Sequence, residues 1–132
     1  MFKKKICCLL LALMFVMNSS IISNAKTYTL VYDYNREITQ STQYISPTFI
    51  PQTDSIGVIY NFASSYRPYY SRYYLEKYTD GTWCIADSDT IDGGGIISTG
   101  YWVTPNVRYR IRAISNDPFK RYVCCAVTEE RD

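Results

Sequence analysis

The sequence predicts an all-β fold, a seven-stranded antiparallel β-sandwich, and three observations carry that expectation. Beyond residue 25 no apolar period of helical spacing lasts more than two turns. Short alternating runs are cut by Pro, Gly, Asn and Asp at the spacing of strands and turns. Tyrosine, which favours a pleated half-buried surface, supplies 14 of 132 residues. That length holds one domain. With 47% hydrophobic and 20% charged residues, the composition excludes a disordered polymer.

The N-terminus reads as an address. Lys3, Lys4 and Lys5 precede an apolar run of 12 residues, Ile6 to Met17, and small polar residues end in Ser23-Asn24-Ala25. This is the pattern of a secretory signal peptide cleaved after Ala25. The run is short of the about 20 residues a membrane anchor needs. Cys7 and Cys8 open the run instead of following it, as a lipid-modified cysteine would. Cleavage takes three lysines from the 14 basic residues, leaving 107 residues with 11 basic and 12 acidic groups, a net charge of −1. A secreted protein is expected, with no membrane contact after cleavage and no charge that favours nucleic acid. The expected division is a signal peptide over 1–25, a lead segment over 26–42, in which Thr27 to Tyr34 reads equally as a strand, and a β-sandwich over 43–132.

The strands follow in order. The first lies near Gln43 to Ser46, stopped by Pro47, and the second near Ser55 to Phe62. After a loop over Ser64 to Pro68, a third strand (Tyr70 to Tyr78) and a fourth (Thr82 to Asp87) form a hairpin around Asp80-Gly81. A two-residue loop would put Glu76 on the apolar face beside Ile85. A three-residue Thr79-Asp80-Gly81 loop groups Tyr73, Leu75, Trp83 and Ile85 instead. It is preferred because an unpaired buried carboxylate is costly. Ser88 to Gly95 reads as a loop, and Ile96 to Val103 as the fifth strand. In the sixth, Val107 to Ile114, the residues Val107, Tyr109, Ile111 and Ala113 face inward and Arg108, Arg110 and Arg112 outward. The last strand, Lys120 to Thr128, turns Val123, Cys125 and Val127 inward and Cys124 outward.

Between the fifth and sixth strands, Val103-Thr104-Pro105-Asn106-Val107-Arg108-Tyr109 resembles the tyrosine corner of fibronectin type III-like and immunoglobulin-like sandwiches. There the ring fills the end of the core and its hydroxyl returns to the corner backbone. The resemblance implies that Tyr109 does so here, with strands in the order A-B-C-C′-E-F-G. Such domains often carry a tryptophan in the second strand; here Trp83 is expected to fill that volume. From about Ser41 onward, Tyr44-Ile45-Ser46, the Tyr74-to-Trp83 hairpin and Tyr109-Arg110-Ile111-Arg112 also resemble a family of short, uncharacterised secreted proteins of Gram-positive bacteria. That family implies export and a small β-rich domain and supplies no catalytic residues.

Histidine is absent, which removes the commonest general base and metal ligand. Among the carboxylates, Asp33, Glu37, Asp54 and Asp92 are not marked as an acid–base pair by their spacing. The Asp87-to-Asp92 cluster resembles a calcium loop, but its third carboxylate falls one place late and no bidentate glutamate follows, so a polar turn is expected and no metal or cofactor. Of the three cysteines after residue 25, Cys84 and Cys124 are the possible disulfide, with Cys125 a buried thiol. Tyr66, Arg67, Tyr69, Tyr70, Arg72 and Tyr74 crowd one segment and form the candidate binding surface, since exposed aromatics among polar groups stack on sugars or proteins. The bland alternative is cross-strand tyrosine pairing. Arg108, Arg110 and Arg112 form a secondary candidate for an acidic group. Against it stands a solvated strand paired to Glu129 or Glu76. The expected function is a non-enzymatic extracellular binding module for a glycan or protein; a small diffusible effector or antibacterial protein is the alternative.

Overall fold

Period-two alternation places Tyr109, Ile111, Ala113 and Ser115 on one buried face and leaves Arg110, Arg112 and Ile114 on the other. The same rule builds the rest of the chain. The computed structural model describes residues 25–63 and 69–132. The expected signal peptide, up to Asn24, and the candidates Tyr66 and Arg67 lie outside the described residues. The strands are β1 (Lys26–Ile38), β2 (Tyr44–Ile45), β3 (Ser55–Phe62), β4 (Tyr70–Thr79), β5 (Thr82–Asp92), β6 (Gly95–Trp102), β7 (Tyr109–Ser115) and β8 (Arg121–Arg131). They form two four-stranded antiparallel sheets, β1-β8-β3-β6 and β2-β7-β4-β5. First pairs with last, second with seventh, third with sixth and fourth with fifth, which is the nested order of a jelly roll.

The all-β sandwich is as expected, but the count is eight strands and the order differs from the fibronectin type III pattern. There the last two strands lie side by side in one sheet; here β8 pairs with β1 and β3, in the sheet opposite β7. The strand beyond the expected seven is β1, in the segment read as a lead. Lys26 to Ile38 pairs along β8 from Lys26↔Arg131 to Ile38↔Arg121. Register shifts between Thr29 and Val31 and between Asp33 and Arg36 interrupt its alternation, and Asn35 takes a left-handed φ of 56°. These breaks are why Thr27 to Tyr34 reads as either a strand or a lead segment and why the strand's extent to Ile38 is hidden from a period-two reading.

The hairpin also departs from expectation. Tyr78 pairs with Trp83 and Thr79 with Thr82. The loop is therefore the two residues Asp80 (φ 51°) and Gly81 (φ 79°), the left-handed pair of a type I′ turn. Glu76 does sit opposite Ile85, and it is buried. It is not unpaired, because two arginines of β7 meet it, so the cost that favoured the longer loop does not arise. A register shift between Leu75 and Glu76 then carries β5 on to Asp92, where a loop was expected. As an edge strand, β5 tolerates its polar run Asp87 to Asp92.

Tyrosines, not tryptophan, fill the centre. The rings of Tyr60 (β3) and Tyr73 (β4) stack across the two sheets with centroids 4.0 Å apart. Trp83 lies on the outer face, so it does not take the core volume expected of it. The buried hydroxyls are satisfied: Tyr60 and Tyr101 share a hydrogen bond at 3.1 Å, and Tyr101 donates to Asp89 Oδ2 at 2.5 Å. The corner forms as expected: the Thr104 N–H donates to the Tyr109 hydroxyl at 2.8 Å, and the ring is 2% exposed. Asn106 takes φ 62° and donates its N–H to the Pro51 carbonyl, as a left-handed turn residue can.

Candidate binding face

β4 and β7 run side by side with Tyr74 opposite Arg112 and Glu76 opposite Arg110. Residues directly opposite point to the same face. The outer face of β2-β7-β4-β5 therefore gathers Tyr70, Arg72, Tyr74, Glu76 and Tyr78 from β4, Arg110 and Arg112 from β7, and Trp83 and Ile85 from β5. Two segments far apart in the chain thus become one surface, which unites the primary and secondary candidates.

Each arginine lies over a ring. The guanidinium carbon is 4.3 Å from the Trp83 centroid for Arg110 and 4.4 Å from Tyr74 for Arg112. Arg108 stands 5.6 Å from Tyr78, and Arg72 5.5 Å from Tyr70. All lie within the roughly 6 Å at which a cation feels the negative face of an aromatic ring. Glu76, 5% exposed, holds the centre. Its Oε1 accepts from Arg110 Nε at 2.9 Å and its Oε2 from Arg112 Nε at 3.1 Å. Arg112 Nη1 also reaches Gln43 Oε1 at 3.4 Å. Each guanidinium has five N–H donors, so both keep capacity beyond Glu76. Four guanidinium groups face two carboxylates here, Glu76 and, opposite Tyr70, Asp92. The face is net positive, and Arg110 and Arg112 are preorganised by stacking and ion pairing.

Arg110 and Arg112 are paired to Glu76, as the bland reading had it, and not to Glu129 on β8. Tyr78 and Trp83 also belong to the face and are not among the expected site residues. The signal for Glu76 was present: three outward arginines on one strand ask for a carboxylate across the sheet. Tyr69 is half-buried, with its carbonyl accepting from the Gly93 N–H at 2.7 Å.

Other clusters serve the fold. Glu129, 1% exposed, binds the Gln52 and Thr53 N–H groups, the Thr53 hydroxyl and Arg131. Burial alone would raise its carboxyl; the Arg131 hydrogen bond and the donors of the 52–53 bend outweigh it and hold it below its ordinary value. Asp117, wholly buried, ties Arg121 and the Phe119 N–H to the turn before β8. Asp33 accepts the Tyr44 hydroxyl at 2.5 Å beside an open groove of about 700 Å³ between β1 and β2. The Asp87-to-Asp92 segment is strand, so Asp87 and Asp89 lie on one face and Asp92 on the other. Among the described residues no three His, Cys, Asp or Glu side chains are grouped to hold a metal ion.

The expected Cys84–Cys124 bridge is not formed. Cys84 is an exposed free thiol on the β5 edge, whereas Cys124 lies on β8 in the other sheet, packed with Ile59 and Ala126. The strand order is the reason: β5 and β8 belong to opposite sheets, and Cys84 sits opposite Lys77, on the side of β5 away from Trp83 and Ile85. Cys125 is free and fully buried, and burial, with Asp33 adding, pushes its thiol well up. It packs as a small apolar group.

No family model matches the chain, and a search of curated proteins finds no match. Solved structures share its fold at low identity. PBSX exported protein XepA aligns at TM-score 0.56 and 12% identity, over 84% of this chain and 40% of that one. PirA aligns at TM-score 0.50 and 8% identity, over 82% and 95%. The Yersinia pseudotuberculosis-derived mitogen aligns at TM-score 0.48 and 16% identity, over 84% and 90%. At these identities the likeness to XepA and PirA is one of fold, and it agrees with the two-sheet sandwich read from the strand pairing.

Proposed function

We propose that this chain is a secreted, non-enzymatic binding module whose outer β2-β7-β4-β5 face holds an acidic glycan or an acidic protein surface. The observation that carries the reading is the Arg–aromatic array centred on Glu76. Arginine's planar fork suits carboxylate and sulfate groups. Stacking and ion pairing also reduce the side-chain entropy that binding would otherwise cost. Because guanidinium groups already lie over the rings, an anionic ligand suits the face better than a neutral sugar stacked on bare tyrosine. The signal-peptide pattern and the resemblance to short secreted Gram-positive proteins support an extracellular site.

The test uses Arg72 and Arg108, which flank the array without touching Glu76. Exported wild-type protein and the Arg72→Gln/Arg108→Gln variant are incubated with cell-wall, mucin and sulfated-glycan fractions. We expect salt-sensitive retention of the wild type and a loss of about tenfold in the variant. Equal retention of both at low and high salt would contradict the reading. The exposed Cys84 thiol favours the diffusible-effector alternative, and growth inhibition by the exported protein without retention on any fraction would support it.

A further inference from the structure

Both sheets end in strands with an unpaired side, and three of these four edges carry protection. β1 has Lys26, Asp33, Arg36, Glu37 and two register shifts. β5 has Asp87, Asp89, Asp92 and one shift. β2 is two residues long. β6, Gly95–Trp102, has no charge, no proline and an unbroken register against β3. Native proteins ordinarily blunt such an edge, because it templates pairing with another strand.

The backbone direction of β6 follows from one bond. The Val103 N–H donates to the Asp54 carbonyl at 2.8 Å, continuing the β3–β6 register. In an antiparallel ladder alternate residues face the same neighbour. Ile97, Thr99 and Tyr101 therefore bond to β3, while Ile96, Ser98, Gly100 and Trp102 turn their N–H and C=O groups outward. The same four residues are exposed, Ile96 at 41% and Trp102 at 82%.

We infer that β6 pairs antiparallel with β6 of a second copy, about a two-fold axis through Thr99 perpendicular to the sheet. Ile96 then opposes Trp102 of the second copy and Ser98 opposes its Gly100, and the relation repeats by symmetry. All four outward-facing residues exchange both backbone bonds. Each exposed indole covers an exposed isoleucine, and no charge is buried. The β1-β8-β3-β6 sheet becomes an eight-stranded sheet across the dimer. An axis perpendicular to the sheet keeps both copies' Arg–aromatic faces on one side, so a polymeric acidic ligand would meet two sites at once. A single strand-edge contact is small against stable interfaces, so the dimer dissociates in the micromolar range.

Sedimentation of the exported protein from about 1 to about 300 μM tests this. The expected result is conversion from monomer to dimer mass. Ile96→Lys and Trp102→Glu should each weaken association by about tenfold or more. The double variant I96K/W102E, which sets lysine against glutamate at both ends of the pairing, should restore it. A wild type that stays monomeric throughout would overturn the inference, as would a dimer unaffected by both single variants or a folded double variant that stays monomeric. Should a variant fail to fold, hydrogen exchange on the wild type decides. Protection of the Ile96, Ser98, Gly100 and Trp102 amides that rises with concentration supports the pairing, and concentration-independent exchange overturns it.

Discussion

At the scale of single residues, Glu76 is the side chain on which the outer face depends. It is nearly buried and neutralised by two arginines that are themselves about one-fifth exposed. Removing one partner of such a group leaves the other charges uncompensated. Glu76→Ala should therefore destabilise the protein by about 2–3 kcal/mol in urea unfolding, less than a fully buried pair because water reaches the guanidinium groups. Tyr109 makes a separate contribution. Tyr109→Phe deletes only the bond from Thr104 and should cost about 1 kcal/mol. Tyr109→Ala leaves a cavity and should cost about 3–5 kcal/mol. Equal midpoints for both variants and the wild type would remove the corner's role. Tyr109 was legible in the sequence because its motif is local, within seven residues. The hairpin register beside Glu76 was not legible: the arginines that make its burial tolerable lie 34 and 36 residues away, so the penalty for an unpaired buried carboxylate favours the longer loop.

At the scale of elements, β8 is central to its sheet: it pairs with both β1 and β3 and carries Glu129 near its end. That carboxylate ties the 52–53 bend to the last strand, and its folded value lies below the unfolded one. The unfolded chain, near 4.3 for a glutamate, takes up the proton first as pH falls. The contribution is therefore complete above about pH 5 and declines as pH drops through the folded value. Glu129→Gln should lower stability by about 1–3 kcal/mol at pH 7. The gap to the wild type should close towards pH 3, and a gap independent of pH would contradict this account. Strand β1 was the least legible element, because its two register shifts and left-handed Asn35 break the alternation that exposed β3 and β7. β5 was cut short for a related reason: Ser, Asp and Thr read as a turn, although on an edge strand they need only one bonded neighbour.

For the whole molecule, the distinction between a fibronectin type III order and a jelly roll rests on where the last strand lies. Hydrophobic alternation reports which residues face inward and not which strand lies alongside, so the order could not be read from the sequence. The placement of the thiols follows from that order. In the native protein Cys84 should react rapidly with a thiol reagent, while Cys125 should react only on unfolding; peptide mapping distinguishes them. Fast native labelling of Cys125 would mean that the β8 register is wrong. The sandwich also sets the electrostatics. A chain whose net charge is only +2 concentrates four arginines on one outer face, so attraction for an anion is local to that face.

The most direct test of that face is an NMR titration of the purified protein with an oligosaccharide bearing sulfate or carboxylate groups, at low and at high salt. The predicted result is saturable shifts of the Arg72, Arg108, Arg110 and Arg112 Nε–H resonances and of the Trp83 indole N–H, weakened by salt and mapping to β4, β5 and β7. Shifts confined to the β1–β2 groove or the β6 edge, with the arginine resonances unmoved, would contradict it.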